Sequence, residues 1–487
     1  MVGPPTLRQR PTSPMSSPSR IIPRTVRPAP PEVWKPLLRV ARLATRPLEK
    51  FFRIQAASGI LLIVAAALAL GWANSPLAAS YDHFWHARVG FHFGKFVFDR
   101  TVRWCVNDGL MTIFFFVVGM EIRRELHHGE LSEWRRAALP TLAAGGGMIA
   151  PAAIYLLIAG RGEARAGWGI PMATDIAFAV GVLTILGSRV PSALRVLLLA
   201  LAVIDDLGAI AVIALFYSPG IAVDGLGVAA AGVVALFAFR AVGLRKPWVY
   251  VLPGAVVWAG TYRAGIHPTI AGVVVGFCTP VRAWLGTETF VNETRDELNR
   301  AADNGTHFRG ATPEMNETLR RVALLRREAV APAELLIESL HPWVAFLIMP
   351  LFALANAGVR LRTASLEGAA IVPAMGVVAG LVLGKPIGIL VASVVALQIR
   401  AAALPRGLRL RHVLVLGIAA GIGFTMSLFV AQLAFDDDRL LATVKLGIVV
   451  ASLVAMVLAL VVGRVLLTPG NSSRVECADE TEASMDS

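Results

Sequence analysis

Residues 192–217 read SALRVLLLALAVIDDLGAIAVIALFY, and this stretch decides what kind of protein the chain is. It is long enough to cross the roughly 30 Å hydrocarbon core of a bilayer as a helix. Two adjacent acids, Asp205 and Asp206, lie in the middle of the apolar run. Because an ionisable group at membrane depth costs at least about 2.5–3.5 kcal/mol, each of them needs a partner or a function.

Similar apolar stretches recur along most of the 487-residue chain. Hydrophobic residues make up 56% of it and charged residues 16%, against about 25% charged residues in soluble domains. This composition excludes intrinsic disorder and an ordinary water-soluble fold. The three cysteines, Cys105, Cys278 and Cys477, are too few and scattered for a disulfide framework or a CxxC metal or redox site. We therefore expect an all-α polytopic membrane protein without a cofactor.

Windows of about 19 residues predict about twelve transmembrane helices. Their approximate ranges are 58–74, 107–127, 137–159, 169–187, 192–217, 222–241, 247–262, 265–280, 342–359, 369–399, 411–435 and 441–466. The segments 247–262 and 265–280 are short, so they could be half-spans or one hairpin. Most of the 46 Lys and Arg residues fall in alternate connections, which predicts that both termini are cytoplasmic.

Three segments of the chain are predicted to lie outside the membrane. Residues 1–56 carry eleven Lys/Arg against two acids and are rich in Pro and Ser, which predicts a disordered basic extension. Between the helices of 57–280 and those of 342–466, an enlarged cytoplasmic loop at 281–341 is expected to be partly helical. An acidic tail occupies 467–487. The basic extension could bind anionic membrane lipid, and nothing indicates nucleic-acid recognition.

The chemistry is expected around the aspartate pair. Two carboxylates a few ångströms apart in a low-dielectric cavity cannot both be charged unless a cation lies beside them. Protons or a metal ion can neutralise them, which is the physical basis of an exchanger in which two cations compete for one site. Because neighbours on a helix diverge by about 100°, we expect one aspartate to be the principal ligand and the other to assist.

Two other spans carry interruptions. Residues 169–187 contain Pro171, Thr174 and Asp175, and residues 411–435 contain the glycine-rich GIAAGIGFTMSLF. Gly/Pro-interrupted spans at corresponding places in two halves predict discontinuous helices around a midplane site. Close packing of small residues is an alternative for the second span. Asp175 could offset the positive ends of half-helices.

A buried ammonium is expected near these carboxylates. Lys385 stands mid-span in GLVLGKPIGILV. It could be a counter-ion for Asp205 or a group whose proton leaves when a cation binds, and we favour a counter-ion that also titrates.

A rim of charged residues is predicted at cytoplasmic helix ends and consists of Glu121, Arg124, Glu125, Glu338 and His341. Such a rim can concentrate cations and sense pH, because histidine titrates near neutrality. Solvated helix-end charge is the alternative that the residues alone favour.

With these motifs the chain resembles the NhaA family of sodium/proton antiporters. The similarity runs through ATDIAFAVGVL, GSRVP, LAVIDDLGAI, HPTIAGVVVGF, LHPWVAFLIMPLFALANAGV, GKPIGI and GIGFTMSLF, across about residues 55–465. It implies a twelve-helix fold with inverted-topology repeats, in which the fourth and eleventh helices are broken and cross at mid-membrane. It also implies electrogenic exchange of cytoplasmic Na⁺ or Li⁺ for external H⁺, activated at alkaline pH, in a bacterial inner membrane.

The resemblance also implies roles for single residues. Asp205 and Asp206 match the cation-binding pair, with Asp206 the more direct ligand of Na⁺. Thr174 and Asp175 match the assembly of the broken helices, and Lys385 matches the buried lysine.

The charged rim matches parts of the family's cytoplasmic pH-sensing cluster. Ser339 stands where a second histidine is familiar and Leu335 where a lysine is, which bears on the pH profile and not on the exchange. The family is also similar in forming homodimers, partly through a hairpin in the first outside loop, here about 76–106. The segment RVGFHFGKFVFDR has the alternation of such a hairpin.

Two other functions use intramembrane carboxylates. An intramembrane aspartyl enzyme needs two of them, normally from different helices in a GxGD-type setting, whereas here they are adjacent. A sodium-coupled symporter would need a solute pocket, and the sequence does not reveal one. The sequence therefore predicts an antiporter and not an enzyme, with these two functions as the alternatives.

Overall fold

The computed structural model describes residues 55–467, apart from 94–95, 130, 219, 221, 245–246, 304–312, 362–369 and 406. The predicted basic extension up to residue 54 and the acidic tail from residue 468 lie outside the described residues.

The described chain is almost entirely helical. Its α-helices and β-strands are, in chain order, α1 Gln55–Ala73, α2 Ala78–His86, β1 Arg88–Phe93, β2 Phe96–Thr101, α3 Val102–Trp104, α4 Met111–His128, α5 Trp134–Ala159, α6 Ile176–Ile185, α7 Ser192–Phe216, α8 Val223–Ala241, α9 Val251–Arg263, α10 Thr269–Cys278, α11 Thr287–Asp303, α12 Pro313–Ala329, α13 Pro332–Trp343, α14 Met349–Asn356, α15 Ile371–Ala379, α16 Lys385–Gln398, α17 Leu410–Ala420, α18 Phe424–Ala434 and α19 Asp438–Leu466. Short π-helical turns at Cys105–Leu110, Val344–Ile348 and Gly380–Gly384 join α3 to α4, α13 to α14 and α15 to α16. A 3₁₀ helix, Gly162–Met172, precedes α6.

The described residues contain enough apolar helix to cross a membrane many times. Seven stretches are long and apolar enough on their own: Val102–His127, Arg136–Ala159, Ala193–Phe216, Val223–Ala241, Pro332–Asn356, Ile371–Gln398 and Asp438–Leu466. Three bent pairs of helices raise the number to as many as ten, if each pair is one span. The protein is therefore a polytopic all-α membrane protein, as the sequence predicts.

Two of the twelve predicted segments are short helices. The segments 247–262 and 265–280 correspond to α9, with 13 residues, and α10, with 10 residues. The 3₁₀ turn Pro247–Tyr250 leads directly into α9, and together they reach the roughly 17 residues that a full span needs, whereas α10 is shorter. With the ten candidate spans, these two segments account for all twelve predicted segments, and α10 has the half-length that the sequence allows for.

The predicted loop 281–341 contains more helix than expected. Helices α11 and α12 pack against each other within it. Its last ten residues belong to α13, which starts at Pro332 and continues through the π turn into α14. Proline suits the first helical position, because its φ is fixed near the helical value and it has no N–H that would lack a partner there. Glu338 and His341 therefore lie on a helix that leads into a membrane span.

The predicted hairpin is present in the first long connection. Strands β1 and β2 pair antiparallel, with Arg88 opposite Thr101 and Phe93 opposite Phe96. The backbone N–H of Val102 donates to the carbonyl of Ala87 at 3.0 Å, so the two ends of the hairpin are held together.

The helices form two groups. The site bundle consists of α5, α6, α7 and α15 to α19, which pack on one another, and α6 also packs closely on α1. The second bundle consists of α1, α4, α8, α9, α10, α13 and α14. The two bundles meet through contacts of α1 with α6, α4 with α7, and α14 with α18.

Glycine lets the central helices of the site bundle touch backbone to backbone. A Cβ on Gly146 of α5 would lie 2.3 Å from the carbonyl oxygen of Gly388 on α16, and a Cβ on Gly388 would lie 2.2 Å from that of Gly146. Small residues at helix crossings are the usual means of close packing in membranes. This contact fixes α16, and with it Lys385, against α5.

Candidate functional site

Asp205 and Asp206 lie in the middle of α7 and are almost fully buried, with 1% and 2% of their surfaces exposed. The Asp205 carboxylate is held from two sides. Its Oδ2 lies 3.0 Å from the Lys385 ammonium, and it accepts a hydrogen bond of 2.7 Å from the Thr174 hydroxyl. A charged pair without solvent exposure is stable only when further hydrogen bonds support it, and Thr174 supplies one.

Lys385 stands at the first position of α16, directly after the π turn Gly380–Gly384. Its ammonium also donates to the carbonyl oxygen of Met172. That carbonyl is free for a side chain because the 3₁₀ helix ends there and the chain is extended before α6 begins. The buried lysine thus joins α7 to the break in the fourth predicted span.

Asp206 is held differently from its neighbour. Its Oδ1 atom, like that of Asp205, is buried without a hydrogen-bond partner among the described residues. The carboxylates of Asp205, Glu121 and Asp175 repel its negative charge, while Lys385 attracts it. A buried carboxylate oxygen without a donor is unfavourable on its own, so the site is suited to a proton or a small cation at this place.

A resident metal centre is not indicated. No group of three or more His, Cys, Asp and Glu side chains in the described part of the chain is arranged to hold a metal ion.

Two broken helices meet beside the pair. The chain bends by 48° between the 3₁₀ helix Gly162–Met172 and α6, and by 49° between α17 and α18. The short breaks between the two halves of each pair touch, since the Asp175 N–H donates to the Ile422 carbonyl at 2.7 Å. The Thr174 hydroxyl also lies 3.1 Å from the Ala420 carbonyl.

Asp175 caps both half-helices that start at this crossing. Its Oδ1 accepts from the N–H of Phe178 in α6 at 3.2 Å. Its Oδ2 accepts from the N–H of Thr425 in α18 at 3.1 Å and from the Thr425 hydroxyl. A negative charge at the positive ends of two helices is favourable, and it satisfies N–H groups that have no partner within their helices.

Thr425 is a site residue that sequence reasoning did not select. It lies two residues after Gly423 and binds Asp175 across 250 positions of sequence. Ser427 on the same helix donates to the Ile170 carbonyl at 2.9 Å, and Ser452 on α19 accepts from the N–H of Phe424 at 3.1 Å. The position of Thr425 just after the glycine-rich break is a signal that could have identified it, whereas nothing near Ser452 in sequence marks its role.

The charged rim is divided between two helices that pack together. Glu121, Arg124 and Glu125 lie near the end of α4, and Glu338 and His341 lie on α13. Arg124 is within electrostatic reach of both Glu121 and His341. Glu338 and His341 are exposed, whereas the three residues of α4 are half-buried. The structure thus brings Glu121 and His341 together around Arg124, at the C-terminal end of α4.

Comparisons with known proteins identify the family of the chain. The family model described as "Na+/H+ antiporter 1" matches residues 49–462. A protein of Myxococcus xanthus named Na(+)/H(+) antiporter NhaA 2 is 60% identical over 93% of this chain and 97% of its own length. One of the same name from Sorangium cellulosum is 52% identical over 94% of this chain and 98% of its own length. The solved structure of the sodium proton antiporter MjNhaP1 from Methanocaldococcus jannaschii covers 89% of this chain and 98% of that one, with 12% identity and a TM-score of 0.47. By the extent of the family match and the identity to curated relatives, the chain belongs to the NhaA family of Na⁺/H⁺ antiporters.

Proposed function

We propose that the protein exchanges cytoplasmic Na⁺ or Li⁺ for external H⁺ across a bacterial inner membrane, by alternating access to the Asp205–Asp206 site. Family membership supports sodium/proton antiport, and the site supports the assignment to these residues. The observation that carries it is the pair of buried Oδ1 atoms, one on each aspartate, that have no hydrogen-bond partner among the described residues.

Charge balance supplies the mechanism. While Lys385 is paired with Asp205, the charge of Asp206 is uncompensated, so Asp206 binds either H⁺ or Na⁺. A Na⁺ ion that recruits both carboxylates draws Asp205 away from Lys385, and the unpaired ammonium then loses its proton. For each Na⁺ that binds, one proton thus leaves Asp206 and one leaves Lys385, which makes the exchange electrogenic. Because the groups titrate together, the proton release belongs to the set and not to one residue.

The broken helices provide the movable support of the site. Asp175 and Thr174 link the two broken helices to each other within the site bundle, so the ion site moves with that bundle. Its contacts with the second bundle are then the ones that change as the site faces one side or the other. Two packed groups with discrete arrangements are what a two-state transporter needs.

The charged rim on α4 and α13 is proposed to tune the pH response. Arg124 interacts electrostatically with Glu121, which in turn repels Asp206. His341 also interacts with Arg124. A change of charge at His341 can therefore act on Asp206 through Arg124 and Glu121. Activation at alkaline pH is proposed to act along this route.

The two alternatives are less favoured. An intramembrane enzyme is excluded by membership in a family of transporters. A solute symporter would need a further pocket near the aspartates, and no observation favours one.

The first prediction concerns Asp206. Purified protein in proteoliposomes with an imposed pH gradient should dissipate that gradient when Na⁺ is added, more strongly at alkaline than at mildly acidic pH. Asp206→Asn should remove the Na⁺-dependent signal, since it removes the charge that the ion neutralises, while the protein remains folded. A pH-sensitive dye records the signal. A folded wild-type protein without any Na⁺-dependent signal across this pH range would refute the proposal.

A further inference from the structure

Three amide side chains meet on the side of the molecule opposite the charged rim. Asn107 lies in the π turn Cys105–Leu110, Asn356 is the last residue of α14, and Gln432 lies on α18. The Asn107 amide donates to the Gln432 carbonyl oxygen at 2.6 Å. The Asn356 amide donates to the Asn107 carbonyl oxygen at 2.7 Å.

These residues belong to different bundles. Asn356 is part of the second bundle, and so is Asn107, since its π turn leads directly into α4. Gln432 lies instead on α18, the second half of the broken eleventh span in the site bundle. Asn356 is 1% exposed and also donates to the carbonyl of Phe352 in its own helix at 2.9 Å. Asn356 therefore holds the Asn107 side chain in place, and the Asn107–Gln432 bond is the one that crosses between the bundles.

Aromatic packing surrounds this bond. Phe429, three residues before Gln432 on the same face of α18, is 2% exposed. Its ring lies 5.4 Å from that of Phe115 and 6.2 Å from that of Phe352, both in the second bundle. His267 packs edge-on against the same ring at 5.4 Å. Gln432 and Phe429 thus present one contiguous surface that closes the seam between the bundles.

The position of the seam relative to the ion site follows from α18. This helix starts beside Asp175 and reaches Gln432 eight residues after Phe424, which is about 12 Å along a helix axis. Helix α4 runs from the Asn107 side toward Glu121, so the closed seam and the charged rim lie at opposite ends. With cytoplasmic termini, as the charge distribution predicts, the seam is on the external side.

The cross-bundle bond is also easily broken. The Gln432 Nε2 atom is buried without a partner among the described residues, so Gln432 contributes only its carbonyl oxygen to the network. A fully satisfied polar network would hold the bundles rigidly together. A single neutral hydrogen bond with one orphaned donor stabilises the closed seam only slightly, and opening lets water reach that donor.

We propose that the Asn107–Gln432 bond, braced by Asn356 and flanked by Phe429, is a latch that keeps the external side of the ion site closed and must break in every transport cycle. This inference rests on the proposed alternating-access function and adds the residues that gate its external side.

A crosslink tests whether the seam must part. In a background of Cys105→Ser, Cys278→Ser and Cys477→Ser, one variant carries Asn107→Cys with Gln432→Cys, and a control carries Asn107→Cys with Asn356→Cys. A short, reductant-cleavable bifunctional thiosulfonate joins each pair, and intact-protein mass spectrometry gives the crosslinked fraction. We expect the cross-bundle link to stop Na⁺-driven transport until reductant is added, while the control link, made within one bundle, leaves transport in place.

Full crosslinking of the Asn107–Gln432 pair with undiminished transport would overturn the latch. Equal inhibition by the control link would overturn it as well, since the block would then not depend on joining the bundles. The reduced double variants must transport for either comparison to count. A wild-type protein that shows no Na⁺-dependent signal refutes the proposed function instead, so the two failures are distinguishable.

A near-isosteric substitution gives a second, independent readout. Gln432→Met keeps the length of the side chain and removes the hydrogen bond. If the latch stabilises the externally closed state, the apparent KM for external Na⁺ should fall roughly 2- to 10-fold, because the binding-competent fraction rises by that factor. The KM from the cytoplasmic side should stay nearly unchanged. A purely structural role would alter both sides alike, and an unchanged external KM contradicts the latch.

Discussion

At the scale of single residues, the site depends on one ion pair that has no access to solvent. Lys385 and Asp205 lie 3.0 Å apart with fully buried side chains. Such a pair contributes little net stability compared with an apolar pair of the same shape, but removal of one partner strands a charge. In the proposed mechanism, the same imbalance lets a transported cation compete for Asp205.

A double-mutant cycle tests that coupling. Lys385→Met should lower the free energy of unfolding by about 3–5 kcal/mol, because Asp205 remains as an unpaired buried charge. Adding Asp205→Asn should restore much of the loss, since no charge is then left unpaired. Thermal unfolding of all four proteins in one detergent measures the effect. Additive losses in the double variant would mean that the two side chains do not act as a pair.

Residues differ in how far sequence alone predicts them. Asp205, Asp206 and Lys385 are prominent because a charge within an apolar run is improbable without a partner or a function. Thr425 and the Met172 carbonyl are not prominent, because hydroxyl and backbone groups are common in membrane helices. Their importance comes from partners far away in sequence, 250 residues in the case of Thr425 and Asp175. Only the fold brings such groups together.

At the scale of elements, the position of the proposed ion site depends on close helix contacts. The crossing of α5 and α16 has backbone against backbone at Gly146 and Gly388. Helix α16 begins with Lys385, so a shift of this crossing would move the ammonium. The contact thus links helix packing directly to the geometry of the ion pair.

A matched pair of alanine substitutions on α5 tests the crossing. Gly146→Ala should destabilise the protein by about 1–3 kcal/mol and reduce transport, because the new Cβ meets the Gly388 carbonyl. Gly145→Ala is the control, since a Cβ there has nothing within 4 Å. It should be neutral or stabilise the helix by roughly 0.5–1 kcal/mol. Thermal unfolding and transport are measured on both, and equal effects would show that the crossing is not tight.

Hydropathy locates the helices well and their ends less well. All twelve predicted segments contain helix, but α13 begins at Pro332, ten residues before the predicted span. The mixture of charged and apolar residues in that first part lowers the window average, although one face is apolar enough to bury Ala333 and Ile337. The fourth span was predicted to be broken, but sequence did not predict that its first half is a 3₁₀ helix. Glycines and Pro171 in that half weaken α-helical geometry.

At the scale of the whole molecule, the β1–β2 hairpin suggests how two copies associate. It is a two-stranded sheet without a third strand among the described residues. An isolated hairpin is marginally stable in water, and its edges carry unpaired backbone groups. The Arg88–Asp99 pair at 2.7 Å is too exposed to stabilise it much, with 75% and 40% of the side chains accessible. Pairing with the hairpin of a second copy would satisfy one edge of each, and we infer a homodimer joined there.

Excision of the hairpin tests the dimer without disturbing the transport site. Because the Val102 N–H bonds to the Ala87 carbonyl, a short Gly-Ser linker can replace residues 88–99. Arg100, which contacts Trp104 and Tyr262, and Thr101, whose hydroxyl caps α3, are kept. The shortened protein should be monomeric in native mass spectrometry, whereas the full chain should be dimeric. It should keep Na⁺-dependent transport, since the aspartate pair and both broken helices lie within one protomer. Persistence of the dimer after excision would place the interface elsewhere, and loss of transport from a folded monomer would show that the second copy contributes to the cycle.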